Sequence, residues 1–387
     1  MKAKNKVTQI GLDSHRTFSK VTARGPDDQI VWRQRLDHRD RMKLRKQLEA
    51  WPKGTPVVLE STFGWGWMSD ELLDAGLDPH LANSRKVAAW RDARGLAKSD
   101  RIDSDLLSEL WGEKSRWWEV WLAPPEVRDQ REWMRYRMAM VRMQTGIKNR
   151  IHAVLHRHGI VSEHSDLFGT KGRRFLSLLI APNDITLPES GRATLKGHLQ
   201  LLDQVRRQIA QVTRELRKQL AQTPAGRRLV SLPGVAWILG YTILAEIGRI
   251  GRFRSARKLA SYSLIVPRAD DSGEEDSDSP KGRHIGHAGR RTLKWAWIEA
   301  AHGAVRSGGR FRQIFDRVTD GGKRDRNRGY IVVAHELCRI AYVLLKKDVD
   351  YSEDRPERPG RRSKRSVKQD SRPGMGQPVA PMVAAVA

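Results

Sequence analysis

The apolar residues of this chain change period at Pro124-Pro125, and that switch separates what can be sheet from what must be helix. Before it, short apolar runs lie between turn residues: Val7 to Asp13, Phe18 to Ala23 and Gln29 to Leu36, with Arg24-Gly25-Pro26-Asp27-Asp28 as a turn. Three such runs in succession predict an antiparallel meander. A helical stretch over about 39–49 leads to Pro56-Val-Val-Leu-Glu60, which has the character of a buried strand. Helices over about 65–73, 84–91 and 99–111 then alternate with a strand near 80–82. The pattern predicts an α/β domain with one mixed sheet over residues 1–118.

Beyond the two prolines the spacing is helical. Residues 126 to about 158 place Val127, Met134, Met138, Val141, Thr145 and Leu155 at threes, fours and their sums. From about 190 to 220, Leu195, Leu199, Leu202, Val205, Ile209, Val212, Leu216 and Leu220 repeat nearly as a heptad. With a shorter helix near 173–180 these predict an all-α, antiparallel coiled-coil arm over 119–223, an element of the kind that dimerises or bridges domains. Residues 224–350 read as a mostly helical domain. Leu232-Pro-Gly-Val235 before an apolar helix at 237–247 is a pattern shared by the helix-hairpin-helix, whose amides can hold a phosphate, and by a plain helix junction. An acidic loop from Asp270 to Gly282 interrupts this domain, core helices are expected at 293–305 and 332–345, and residues 351–387 form a basic tail expected to be disordered.

Composition narrows the class of partner. Lys and Arg number 72 against 45 Asp and Glu, a formal net charge of +27, which suits a polyanion such as nucleic acid. The arm concentrates this charge in Arg128, Arg131, Arg135, Arg137, Arg142, Lys148, Arg150 and Arg157, against Glu126, Asp129 and Glu132. A one-signed helix face suits phosphate contact, although charge runs are also the ordinary form of a solvated face. The single cysteine, Cys338, excludes a disulfide scaffold and thiolate-rich metal sites and fits a reducing cytosol. No apolar signal segment and no run of about 18 apolar residues occurs, so a cytosolic, nucleoid-associated protein without membrane contact is expected. His152 and His156 have metal-ligand spacing, with His158 and His164 near, yet lack an acid or thiolate partner, and contact with phosphate or RNA backbone explains them as well. Trp111, Trp117, Trp118 and Trp121 suit core packing at a domain junction better than base stacking. No Gly-Lys-Ser/Thr loop for ATP is present.

Four carboxylates stand out. Asp13 and Glu60 each close a predicted strand, so both can project from one edge of a sheet. Asp100 and Asp103 are i and i+3 on a helix and share a face. Four oxygen donors converging from three elements are what a pair of Mg²⁺ ions needs in order to clamp a phosphodiester. Taken singly, each is also an ordinary loop cap or helix-start residue. Asp105 lies about 140° and about 160° around the helix from Asp100 and Asp103 and is expected to face solvent.

These residues carry a family resemblance. Ile10-Gly-Leu-Asp13-Ser-His, Val58-Leu-Glu60-Ser-Thr, Lys98-Ser-Asp100-Arg-Ile-Asp103-Ser and, downstream, Tyr262-Ser-Leu-Ile-Val-Pro267 with Asp271-Ser272-Gly273 resemble, in order, the DEDD transposases of the insertion sequence 110 family. The resemblance implies a RuvC-like, RNase H-like N-terminal domain whose acidic tetrad, Asp13, Glu60, Asp100 and Asp103, binds Mg²⁺. It also implies that Ser272 attacks DNA and holds it as a phosphoserine intermediate. By itself, Ser272 within Ala269-Asp-Asp-Ser-Gly-Glu-Glu-Asp reads as part of a solvated acidic loop. Departures from the family pattern are Ile285-Gly-His-Ala-Gly289 after the loop, the extra acids Glu274, Glu275, Asp276 and Asp278, and Ser104 after Asp103. The resemblance further implies a noncoding bridge RNA pairing with donor and target DNA, and assembly as a homodimer or homotetramer. The expected function is a transposase that cuts and rejoins DNA. The rivals are a RuvC-like, metal-dependent, structure-specific endonuclease using water as nucleophile, and a non-catalytic nucleic-acid-binding protein.

Overall fold

The computed structural model describes residues 6–183, 185–268, 283–285 and 291–353. The predicted meander forms as β1 (Gln9–Ser14), β2 (Phe18–Arg24) and β3 (Ile30–Asp37), followed by α1 (Arg41–Glu49) and β4 (Pro56–Glu60). Next come α2 (Trp65–Asp74), β5 (Asp78–Ala82), α3 (Ser84–Ala93), α4 (Asp100–Leu110) and β6 (Glu119–Val120). The six strands make one mixed sheet in the order β3-β2-β1-β4-β5-β6, antiparallel through the meander and parallel from β1 through β4 to β5. The last strand lies just past residue 118 and pairs antiparallel with β5 through Leu81–Val120 and Ala82–Glu119.

Strand alternation gives the sheet two different faces. Ile10, Leu12, Val21, Ala23, Val57 and Leu59 face α1 and α2 and bury an apolar core with Leu44, Leu48, Met68 and Leu72. Gln9, Gly11, Asp13, Thr22, Arg24, Val58 and Glu60 alternate with them along the same strands and so face α4. Gly11 lets α4 approach: a Cβ there would stand 2.2 Å from the Ser108 nitrogen and 2.3 Å from the Ser104 carbonyl oxygen.

The arm pairs α5 (Pro125–Arg157) with α7 (Glu189–Gln222), and α6 (Thr170–Leu179) closes its far end. Leu195, Leu199, Leu202, Val205, Val212, Leu216 and Leu220 of the heptad are buried. The chain then runs through α8 (Pro224–Val230), α9 (Trp237–Ile247), α10 (Ala256–Tyr262), the short strands β7 (Pro267–Arg268) and β8 (Arg283–Ile285), and α11 (Arg291–Ser307), α12 (Gly309–Thr319) and α13 (Arg326–Lys347). These last helices share one core centred on Trp297, Phe311, Leu337 and Cys338. Pro233-Gly234 turns the chain between α8 and α9, with Gly234 at φ +79° and so close to α11 that a Cβ would meet the Ala300 carbonyl oxygen at 2.1 Å. Among the described residues no helix is long and apolar enough to cross a membrane.

Candidate active site

The parallel register of β1 and β4, which pairs Leu12 with Leu59, carries Asp13 and Glu60 one step further along neighbouring strands and onto the same face. Above them α4 begins. Ser99 caps it by accepting from the Ile102 amide, and Asp100 and Asp103 lie in its first turn, where the helix dipole favours negative charge. Asp13 and Asp103 are largely shielded from water, and Asp100 is the most exposed of the three aspartates.

The electrostatics record the crowding. Burial pushes the Asp13 carboxyl above its ordinary value, as do Asp103 and Asp100, against an opposing attraction from His15. Burial, then repulsion from Asp13 and Asp103, pushes Glu60 up to about 7, against weaker opposition from Ser84 and Arg91. Carboxylates forced together against their own charge are a donor set that a divalent cation would relieve, and the hard oxygens suit that cation.

Two neighbours without an assigned role in the sequence reading complete the cluster. His15, two residues beyond Asp13 and hence on the same side of the strand, brings Nε2 within 3.1 Å of Asp13 Oδ2 and 3.4 Å of Asp100 Oδ2. Among the described residues, Asp13, His15 and Asp100 are the one group of three His, Cys, Asp or Glu side chains whose donor atoms all lie within 4.8 Å of one another. Arg91 of α3 holds Asp103 through Nη1–Oδ1 at 3.1 Å. The period-2 rule that linked Asp13 to its strand face was the signal for His15; Arg91 had none.

Three expectations change. Asp105 does not face solvent: Thr22 Oγ1 donates to its Oδ1 at 2.7 Å, and Arg33 Nε and Nη2 donate to Oδ1 and Oδ2 at 2.9 and 2.8 Å. Burial raises its pKa, but these hydrogen bonds outweigh it and hold the carboxyl below the usual range. Arg131 is not on the free basic face. It is 3% exposed and donates from Nε to the Ala245 carbonyl at 3.0 Å and from Nη2 to the Glu246 carbonyl at 3.1 Å, tying α5 to α9. Arg128 is held by Asp70 at 2.5 Å and lies over the Trp65 ring, anchoring α5 to α2.

Arg135, Arg142 and Arg150 are exposed along α5, and Lys148 is half-buried over the Phe168 ring. His152 and His156 are exposed on one side of α5 with Asn149, Ala153 and Arg157. Trp118 is buried in the α4 core, and Trp121 packs on Gly248 beneath Arg252, whereas Trp117 is 40% exposed. The Cys338 thiol is pushed up to about 12 by burial. Ser272 and its surrounding acids lie outside the described residues, as does nearly all of the expected tail.

Comparison with known proteins covers both halves of the chain. A family model of DEDD transposases of IS110, described as "Transposase", matches residues 10–160, and one described as "Transposase IS116/IS110/IS902 family" matches residues 226–316. The transposase for insertion sequence element IS1328 of Yersinia enterocolitica is 23% identical over 354 residues, spanning 89% of this chain and 99% of that protein. A Pseudomonas aeruginosa protein named "Probable family 20 transposase" is 22% identical over 347 residues, spanning 89% of this chain and 98% of its own length. The transposase for insertion sequence element IS1111A of Coxiella burnetii is 23% identical over 224 residues, covering 57% of this chain and 58% of that protein.

Proposed function

This chain belongs to the IS110 family of DEDD transposases, enzymes that act on DNA, and on that premise we propose that it cuts and rejoins DNA through a Ser272-linked intermediate with Mg²⁺ on its carboxylates. The observation that carries this reading is the convergence of Asp13, Glu60, Asp100 and Asp103 from two parallel strands and one helix start, with Asp13 and Glu60 held above their ordinary pKa values. A DEDD domain implies a divalent cation. When bound, Mg²⁺ supplies positive charge beside the scissile phosphate.

The protein's own groups supply the rest. Asp13 and Glu60 are fixed by strand register, and Asp100 and Asp103 by the capped first turn of α4, so the backbone that carries the donors is already in place, and Asp103 has its Arg91 ion pair to exchange. Ser272 Oγ forms a bond to phosphorus as the scissile P–O bond breaks, and the departing sugar oxygen keeps the electron pair and takes a proton. Attack by that sugar oxygen's counterpart on a second strand reverses the step and releases the serine. Strand breakage and rejoining thus conserve the number of phosphodiester bonds.

The proposal assigns residues 1–118 to a RuvC-like catalytic domain, 119–223 to the arm and 224–350 to the serine-bearing domain, working in a cytosolic, nucleoid-associated homodimer or homotetramer. Exposed Arg135, Arg142 and Arg150, with Lys148, form the face offered to donor and target DNA or to a noncoding bridge RNA. Support for nucleic-acid contact comes from their single sign and their helical spacing.

The test is covalent capture. Cells expressing the full chain with its flanking element DNA are lysed under denaturing conditions, the protein is recovered, and attached DNA is sequenced for wild type and Ser272→Ala. Attachment at element ends in wild type, absent from Ser272→Ala, is expected. Cleavage that persists in Ser272→Ala with no attached DNA in either protein overturns the serine step in favour of water-driven hydrolysis.

A further inference from the structure

We propose that His15 is a direct nitrogen ligand of the cation held by Asp13 and Asp100, and that it raises the affinity of this position for Mn²⁺ while leaving its affinity for Mg²⁺ nearly unaltered. The proposal rests on the metal-binding reading of the tetrad. It adds a residue outside the four carboxylates and a metal preference that four oxygens alone would not give.

The distances have the scale of a coordination polyhedron. His15 Nε2 stands 3.1 Å from Asp13 Oδ2 and 3.4 Å from Asp100 Oδ2. Neighbouring donors about 2.1 Å from a shared cation stand about 3.0 Å apart in an octahedron and about 3.4 Å apart in a tetrahedron. Nε2 itself is buried and has no hydrogen-bond partner among the described residues, although the His15 side chain as a whole is 34% exposed. A buried nitrogen aimed between two carboxylate oxygens, without a well-aligned hydrogen bond to either, is an unfinished site in the sense that a cation would finish.

The ring is held in place from the neighbouring strands β2 and β3. Its amide donates to the Phe18 carbonyl at 2.9 Å across the β1–β2 turn, and its ring packs on Phe18 with centroids 4.5 Å apart and planes 30° apart. Arg35 covers the Phe18 ring, with its guanidinium carbon 4.3 Å from the centroid. His15 therefore presents Nε2 in a set direction before any cation arrives.

The fourth carboxylate is occupied elsewhere. Arg91 engages Asp103, so the donors closest to one another are two aspartates and one imidazole rather than three aspartates. Imidazole binds Mn²⁺ and later first-row ions far better than Mg²⁺, which prefers oxygen and holds its waters.

The decisive measurement is pulsed electron paramagnetic resonance of the full-length protein loaded with Mn²⁺. Wild type should show ¹⁴N modulation from a directly bound imidazole, and His15→Gln should lose it. Free-Mn²⁺ titration should show Mn²⁺ affinity falling by about 10-fold or more in His15→Gln, with Mg²⁺ affinity, read by competition, nearly unchanged. Absence of ¹⁴N modulation in wild type, or its persistence in His15→Gln, overturns the proposal, and the wild-type spectrum decides even where the variant folds poorly. The tetrad reading is checked separately by Asp13→Asn. If that variant loses Mn²⁺ binding while wild type shows no ¹⁴N signal, only the His15 proposal fails. If wild type and Asp13→Asn bind Mn²⁺ equally weakly, the tetrad reading fails and His15 with it.

Discussion

The two faces of the central sheet are built on different physics. The face toward α1 and α2 is closed by apolar side chains, Ile10, Leu12, Leu59, Leu44, Met68 and Trp51 among them. The face toward α4 joins an apolar patch to a row of directed bonds. Gln9 Nε2 donates to the Ser108 carbonyl at 2.9 Å, Arg24 Nε donates to Ser108 Oγ at 2.7 Å, and Arg24 Nη2 donates to Glu109 Oε1 at 2.7 Å. Thr22 Oγ1 lies 3.0 Å from Ser104 Oγ, and Arg33 grips Asp105. Apolar packing tolerates small slides, whereas hydrogen bonds fix a helix along and around its axis. The carboxylate cluster sits on the directed face, where the first turn of α4 stands over the ends of β1 and β4.

The sharpest way to break this contrast uses adjacent residues of β1. Gly11→Val puts a branched side chain into the backbone of α4, which no rotamer can relieve. We expect a loss of more than about 3 kcal/mol of stability, and loss of Mn²⁺ binding in whatever folds. Leu12→Ala on the opposite face should cost about 2–5 kcal/mol, yet leave Mn²⁺ affinity unchanged in the folded protein. Chemical denaturation beside metal titration reads both. Equal loss of metal affinity in the two variants would mean that the faces are not mechanically distinct.

A smaller effect separates Glu60 from Leu59, its neighbour on the apolar side. The Glu60 carboxyl moves from an ordinary 4.5 to about 7 in the folded protein. Because the folded value is raised, the proton is bound more tightly by the native state. The resulting penalty is absent below about pH 4.5, grows as pH rises toward 7, and is constant above. Its upper bound is about 3 kcal/mol, and partial solvent access reduces it. Metal-free Glu60→Gln should therefore melt higher than wild type at pH 8 and nearly level with it at pH 4. A gap of the same size at both values would show that ionisation is not its source. In the wild type, cation binding should release protons near neutrality, which calorimetry in buffers of different ionisation enthalpy measures.

Much of this was legible in the amino-acid order. Alternation along Ile10-Gly-Leu-Asp13 and the i, i+3 pair Asp100 and Asp103 fix which residues share a face, because strand and helix periods are geometric. The two-residue strand Glu119–Val120 left no pattern, since its place depends on the edge that β5 offers. Helices α8 and α10, at seven residues each, are too short for periodicity to emerge against turn residues. Asp105 was misread because a helical wheel counts one contact face, while the twisted meander lets Thr22 and Arg33 reach around the flank of α4. Arg131 shows the limit for charges. Its spacing of four from Val127 and three from Met134 sets it on the apolar face, unlike Arg135, but only the arrival of α9, more than a hundred residues later, supplies the carbonyls that make a covered guanidinium tolerable.

That distinction yields the smallest effect, which is also the cleanest reading of the arm. Arg135 is exposed, whereas Arg131 spends its donors on the Ala245 and Glu246 carbonyls. A phosphate contact by Arg135 releases about 0.9 of a counterion per contact, so Arg135→Gln should flatten the dependence of log affinity on log salt by about 0.9. The weakening should be similar for different DNA sequences, because a backbone contact carries no base information. Arg131→Met should leave that slope unchanged in the folded fraction, since a buried guanidinium displaces no ions from DNA. Fluorescence anisotropy with a labelled duplex over a series of salt concentrations reads the slope directly. A slope unaffected by Arg135→Gln, Arg142→Gln and Arg150→Gln together would remove the basic face of α5 from the nucleic-acid interface and leave it as a solvated flank of the arm.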